Sequence, residues 1–177
     1  MAATVFLTQV AATDAVSSPL MKADEGFEQC YEANDDAKTC QSLATYSRNS
    51  DGTWTNTAVV LVSPAQPITL ETATPVTVKD GAICGFIRKD DLLDGKLRYS
   101  GNLLPSDEAA PILAKIADGM SAMMDKEICT TYLGDGNDLL AKVKIDGAGA
   151  SLPEQRVRWV RQSDGYSVAP ARLRTNP

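Results

Sequence analysis

The residues in this sequence best equipped for chemistry are its four cysteines, Cys30, Cys40, Cys84 and Cys129. No two of them form a Cys-x-x-Cys pair, so neither a zinc ribbon nor a dithiol redox centre fits. An even number at wide, irregular spacing reads as two disulfides. The pairing expected is Cys30–Cys40, which closes a short loop around residues 34–37, and Cys84–Cys129, which ties together two strand-like segments flanking a helix. Disulfides persist in oxidising compartments, which points to a periplasmic or secreted protein. The alternative is a cytosolic interaction protein whose four free thiols pack as small hydrophobes.

The chain contains no histidine. That removes Ser-His and Cys-His nucleophilic sites, histidine general bases and every zinc site with a histidine ligand. Gly-x-Ser-x-Gly, Ser-x-x-Lys and the phosphate-binding P-loop are absent too. Carboxylates are abundant, at 23 Asp and Glu, so a hydrolase using a carboxylate pair in a cleft stays as an alternative. Nothing in the sequence selects the pair, and an aromatic content of 6% leaves few platforms for stacking a sugar. Asp135, Asn137 and Asp138 resemble the start of a calcium loop, but the residues after them are apolar and strand-like rather than alternating oxygen ligands. Asp90, Asp91 and Asp94 read as a solvated acidic loop. No catalytic residue, metal site or cofactor is therefore assigned.

Charge narrows the partners. A net charge of −6 argues against a nucleic-acid ligand, which needs a basic face, and gives no support for an anionic lipid surface. The charge is also uneven. Asp24, Glu25, Glu28, Glu32, Asp35 and Asp36 crowd residues 24–36, while Arg156, Arg158, Arg161, Arg172 and Arg174 gather beyond residue 155. These segments are expected to be solvated or to meet, within one chain or across a homo-oligomer that pairs 24–36 with 155–174. Trp54, with Arg156 or Arg158, is a candidate binding surface. Trp159 alternates with Val157 and is assigned to the core.

The elements that must carry these residues are punctuated by Asp-Gly, at 51–52, 80–81, 94–95, 118–119, 135–136, 146–147 and 164–165. Glycine accepts positive φ and aspartate bonds its own nearby backbone, so the pair suits tight turns between strands. Hairpins follow around 51–52 and 80–81, and again around 135–136 and 164–165. The stretch SPAQPITLETA between the first two hairpins reads as loop or edge because of its prolines, and Lys96–Tyr99 reads as an edge strand. The two pairs of turns lie 84 residues apart, which raises a duplicated β unit. Between the halves the period changes. Ile112, Ile116, Met120 and Met124 recur every fourth residue, the signature of an amphipathic helix with Pro111 in its first turn and Gly119 in its middle.

The fold class expected is α+β: one antiparallel sheet of hairpins packed on one central helix at about 110–125, braced by two disulfides. Residues 1–22 read as a flexible lead-in or the remnant of a signal segment, 23–170 as a single domain and 171–177 as a tail. No run approaches the ~18 apolar residues of a membrane span. The function expected is non-catalytic binding of a protein, peptide or envelope component. One measurement separates the two redox readings. The denatured, unreduced protein should offer no thiol to an alkylating reagent and four after reduction, as read by mass spectrometry; four before reduction would overturn the compartment assignment.

Overall fold

In a computed structural model of the chain, residues 18–63, 65–134, 136–149 and 152–170 are described. Among these residues thirteen strands and three α-helices form, the strands in chain order. They are β1 Phe27–Tyr31, β2 Thr39–Cys40, β3 Ser42–Arg48, β4 Trp54–Leu61, β5 Ile68–Lys79, β6 Ala82–Phe86, β7 Lys96–Tyr99, β8 Asn102–Leu103, β9 Glu127–Leu133, β10 Asp138–Ile145, β11 Ala148–Gly149, β12 Gln155–Arg161 and β13 Ser167–Val168. Three α-helices join them: α1 Met21–Asp24, α2 Lys89–Leu93 and α3 Ser106–Gly119.

Eight of the strands, β1, β3, β4, β5, β6, β9, β10 and β12, form a closed antiparallel barrel. Each pairs with the barrel strand before it in the chain, and β12 returns to pair with β1. The hairpin turns behave as their sequence requires. Asp80 and Gly81 both take positive φ, 49° and 76°, which matches the twist of the flanking strands in a two-residue turn. In the longer β3–β4 turn, Asp51 Oδ1 accepts hydrogen bonds from the backbone N–H of Thr53 at 2.9 Å and from its hydroxyl at 2.6 Å. The Thr53 hydroxyl first, and then its N–H, hold the Asp51 carboxyl below its usual range.

The expected α+β sandwich does not form. The described residues are mostly strand, helices are the minority, and no helix lies at the centre of the fold. The physical reason lies in the alternation. All eight strands turn one face inward, so the sheet buries its own apolar side by closing on itself and needs no helix to cover it. The amphipathic helix does form, at Ser106–Gly119, but it lies outside the barrel. Its buried Ala109, Leu113 and Ala117 pack with Leu92 of α2, Leu97 of β7 and Leu70 at the start of β5. It starts earlier than the periodicity suggested, which puts Pro111 in its second turn and makes Gly119 its last residue.

Two further expectations change. β5 begins at Ile68, so ITLETA is strand rather than loop. Its Pro75 lies in a stretch, 72–75, that pairs with β4 but has no partner on the opposite side, between the β7 and β6 ladders. A residue without an N–H costs no ladder bond there. Near the C-terminus, β12 and β13 do not form a hairpin. A 3-10 turn at Gln162–Asp164 intervenes, and β13 pairs in parallel with β2. The 84-residue offset therefore equates the hairpin turn at 80–81 with a turn that reverses no ladder, and the duplication fails at that position; Asp135 lies outside the described residues.

Both expected disulfides are present, Cys30–Cys40 with Cα atoms 5.4 Å apart and Cys84–Cys129 at 4.1 Å. Cys84 and Cys129 face each other directly across the β6–β9 ladder. They close the neck of an excursion, residues 87–126, that carries α2, β7, β8 and α3. Loop-closure entropy predicts that the double variant Cys84→Ala/Cys129→Ala loses about 2–4 kcal/mol of stability in urea unfolding. The excursion should also become the preferred site of limited proteolysis. Unchanged stability and cleavage would show that the β6–β9 ladder holds the neck unaided.

Candidate functional site: the barrel lumen

One end of the barrel is sealed by the segment that precedes β1. Leu20 is fully buried and packs with Trp54, Val76, Ile83 and Trp159. The plug is fastened from outside. Arg48 pairs with Asp24 of α1 at 2.8 Å and stacks on the Trp54 ring at 4.4 Å, and the Lys22 ammonium bonds the Asn137 side chain in the β9–β10 turn. Residues 18–22, read from the sequence as part of a lead-in, thus include a core residue, while 1–17 and 171–177 lie outside the described residues.

Above this apolar plug lies a polar layer. Gln29 points inward from β1 with no exposed surface. Its Oε1 accepts a hydrogen bond from the Tyr46 hydroxyl at 2.8 Å and a long one from the Tyr31 hydroxyl at 3.4 Å. The Tyr31 and Tyr132 hydroxyls lie 2.6 Å apart. Register explains the convergence. Gln29 is cross-strand partner to Ala44 on β3 and to Trp159 on β12, and Tyr132 is partner to Ala141 on β10. Small residues at inward positions leave the three phenols room to meet. The Gln29 Nε2 is buried and has no hydrogen-bond partner, an uncommon condition for an interior amide.

The remaining lumen is a cavity of about 290 Å³ opening at the other end of the barrel. Tyr31, Tyr46 and Tyr132 form its floor, and its wall combines aliphatic and small side chains such as Ala44, Ala58, Val60 and Ile128 with the neutral polar side chains of Ser42, Asn56, Thr74 and Thr130. Among the described residues that line it, none carries a charge. At Gly85 a Cβ would lie 3.0 Å from Val76 Cγ1 and 3.2 Å from the Pro75 carbonyl, so a side chain there would have to push its neighbours aside.

The sequence-assigned surface residues lie elsewhere. Trp54 is 4% exposed and belongs to the sealed end. Arg156 and Arg158 are brought together on the outer face of β12, beside an open groove of about 400 Å³ that also touches Leu133, Asp138 and Leu140. Both arginines are engaged there. Arg156 forks onto Glu32 at 3.0 and 3.2 Å. Arg158 binds Asp35 at 2.6 and 2.7 Å and Asp138 at 2.6 Å. The Tyr166 hydroxyl, and then Arg158, hold the Asp35 carboxyl below its usual range. The acidic and basic segments therefore meet within one chain.

Acids converge at one further place, a hollow of about 260 Å³ lined by Glu71, Asp91 and Asp94 beside Lys96. Lys96, and after it Arg98, keep the Glu71 carboxyl below its usual range, the opposite of what a proton donor needs. Cys84, Glu127 and Cys129 form the one metal-sized cluster among the described residues, but both sulfurs are bound in a disulfide. The calcium-like stretch is likewise occupied, Asn137 by Lys22 and Asp138 by Arg158.

The sequence reading missed Gln29, Tyr31, Tyr46 and Tyr132. The signal was present as a period of two, with a polar or small residue two positions before a tyrosine in Gln29-Cys30-Tyr31, Ala44-Thr45-Tyr46 and Thr130-Thr131-Tyr132. Comparison with models of protein families, with curated proteins and with solved structures finds no match to this chain.

Burial, and then the neighbouring phenols, push Tyr31 and Tyr46 well above the usual phenol range, and burial raises Tyr132. The folded state thus keeps these protons beyond the pKa of about 10 that phenols show in an unfolded chain. Unfolding releases them above pH 10. Their contribution to stability is intact below pH 10 and is lost as pH rises through the raised folded values. An absorbance titration at 295 nm should show a late alkaline phase coincident with unfolding, absent from a Tyr31→Phe/Tyr46→Phe/Tyr132→Phe variant. A late phase that persists in that variant would assign it to other tyrosines.

Proposed function

We propose that the chain is a non-catalytic binding protein of an oxidising compartment, periplasmic or secreted, and that it holds a small, mostly apolar molecule in the barrel lumen. The observation that carries this reading is the cavity itself: uncharged among the described residues, walled by aliphatic side chains with a few neutral polar ones between them, sealed at one end and open at the other. Eight-stranded barrels are just wide enough either to fill with side chains or to hold one small ligand. Here small residues at inward positions leave the second outcome. An apolar pocket with a few converging polar groups is the usual form of a small-molecule site. The two disulfides favour the compartment. No described helix is long and apolar enough to cross a membrane.

This narrows the expected partner from a protein or peptide to a small molecule, which an envelope could supply. The hydrolase alternative draws no support from the lumen, to whose lining no described residue brings a carboxylate. N-phenyl-1-naphthylamine, a neutral probe that brightens in apolar surroundings, should bind saturably at one per chain. Ala58→Phe, which fills the lumen from its wall, should weaken that binding at least tenfold while leaving a cooperative thermal transition. Equal brightening by wild type and a folded Ala58→Phe protein would place the probe outside the barrel and overturn the reading.

A further inference from the structure

The lumen's hydrogen bonds do not balance. Tyr31, Tyr46 and Tyr132 contribute three O–H hydrogens and the Gln29 amide two N–H hydrogens. The hydrogen bonds among them are Tyr46 to Gln29 Oε1, Tyr31 to the same oxygen and Tyr31 with Tyr132, and the Tyr132 hydroxyl also adjoins Tyr46 and the Gln29 side chain. These accommodate the three hydroxyl hydrogens and leave both amide hydrogens without an acceptor, in a residue with no exposed surface. An unsatisfied buried amide is destabilising, and the apolar plug of Leu20, Trp54 and Trp159 behind it offers no side-chain oxygen. A hydroxyl can accept from the amide and pass its own hydrogen onward. Wherever the hydrogens settle, the surplus can therefore be relieved at the floor of the cavity, where Tyr31, Tyr46 and Tyr132 are exposed to an incoming group.

What relieves it must be an acceptor, and the surroundings decide its charge. None of the described lining residues is cationic, so an anion would lose its hydration without gaining a counter-ion. The same burial that keeps the phenols protonated acts against a bound carboxylate.

We infer that the lumen is built for a neutral, largely apolar molecule bearing one hydrogen-bond acceptor oxygen, a ketone or ester carbonyl, which docks on the Gln29–tyrosine floor with its apolar body along the aliphatic wall. This rests on the lumen being a ligand site, and the test separates the two claims.

Four compounds of similar size probe the floor by calorimetry: naphthalene with no polar atom, 2-acetylnaphthalene with an acceptor alone, indole with a donor alone, and 2-naphthoate with a charge. The ketone should bind at least tenfold more tightly than any of the others. In Gln29→Met that advantage should shrink to within about threefold, with naphthalene affinity retained. Tyr132→Phe, which leaves the Gln29–Tyr46 bond in place, should reduce it in the same direction and decides the matter if Gln29→Met does not fold. Tightest binding by naphthoate or indole would overturn the inference, as would a ketone advantage that survives substitution of the floor. Either result leaves the lumen as a binding site. If none of the four compounds binds and N-phenyl-1-naphthylamine does not bind either, the lumen reading itself falls, and this inference with it.

Discussion

The pairing of β1 with β12 is the contact on which the rest of this structure depends. Without it the other barrel strands form an open meander with two bare edges and no inside. The ladder runs from Phe27 opposite Arg161 to Tyr31 opposite Val157, joining positions more than 120 residues apart, so it carries the largest loop-closure cost in the sheet. Its outer end is clamped by Glu32, whose carboxylate receives both the backbone N–H and the guanidinium of Arg156, and whose own N–H donates to the Arg156 carbonyl. Exposed ion pairs contribute under about 1 kcal/mol each. The value of this clamp, and of Arg158 between Asp35 and Asp138, lies in register. A slip of one residue would turn Gln29 and Tyr31 outward and bring Cys30 inside.

Closure then dictates the lumen's layers. At one end large side chains meet: two tryptophans, Val76, Ile83 and the Leu20 plug. Further along the same strands the inward residues are Ala44, Ala58 and Gly85, and the volume they leave is the cavity. The polar layer sits at the boundary between the filled half and the open half. The outer faces do different work. The Cys30–Cys40 bridge, Val160 and Tyr166 make a small cluster under β2 and β13, while charged side chains occupy the outward positions of β10 and β12, such as Asp138, Lys142, Arg156 and Arg158, which would be costly in lipid.

The local parts of this fold were legible in the sequence because they are set by local chemistry. Asp80-Gly81 and Asp51-Gly52 specify turns within a few residues, and the disulfide pairing followed from the short loop between Cys30 and Cys40 and from the two strand-like segments, carrying Cys84 and Cys129, that flank one helix. The helix was legible as a helix, since Ile112, Ile116 and Met120 keep its period whatever they pack against. Its place was not, because an amphipathic face says that something covers it without saying what. Barrel closure is a property of two strands at opposite ends of the chain, and neither carries a mark of the other beyond complementary charge. The site was hidden for the same reason. Gln29 stands in an acidic stretch where one more polar residue attracts no notice, and the tyrosines that meet it come from three separate strands. Trp54 and Arg158, more conspicuous as residues, proved to be packing and clamp.

The Cys84–Cys129 bridge joins neighbouring strands at the point where the chain leaves the barrel and where it returns. Residues 84–129 therefore form a covalent ring, whose small core around Leu92, Leu97 and Leu113 is shared with Leu70 of β5. The backbone of that ring is dispensable to the connectivity of the molecule. A single cut within it would leave one molecule, with β6 and β9 still joined through sulfur, until a reductant arrived.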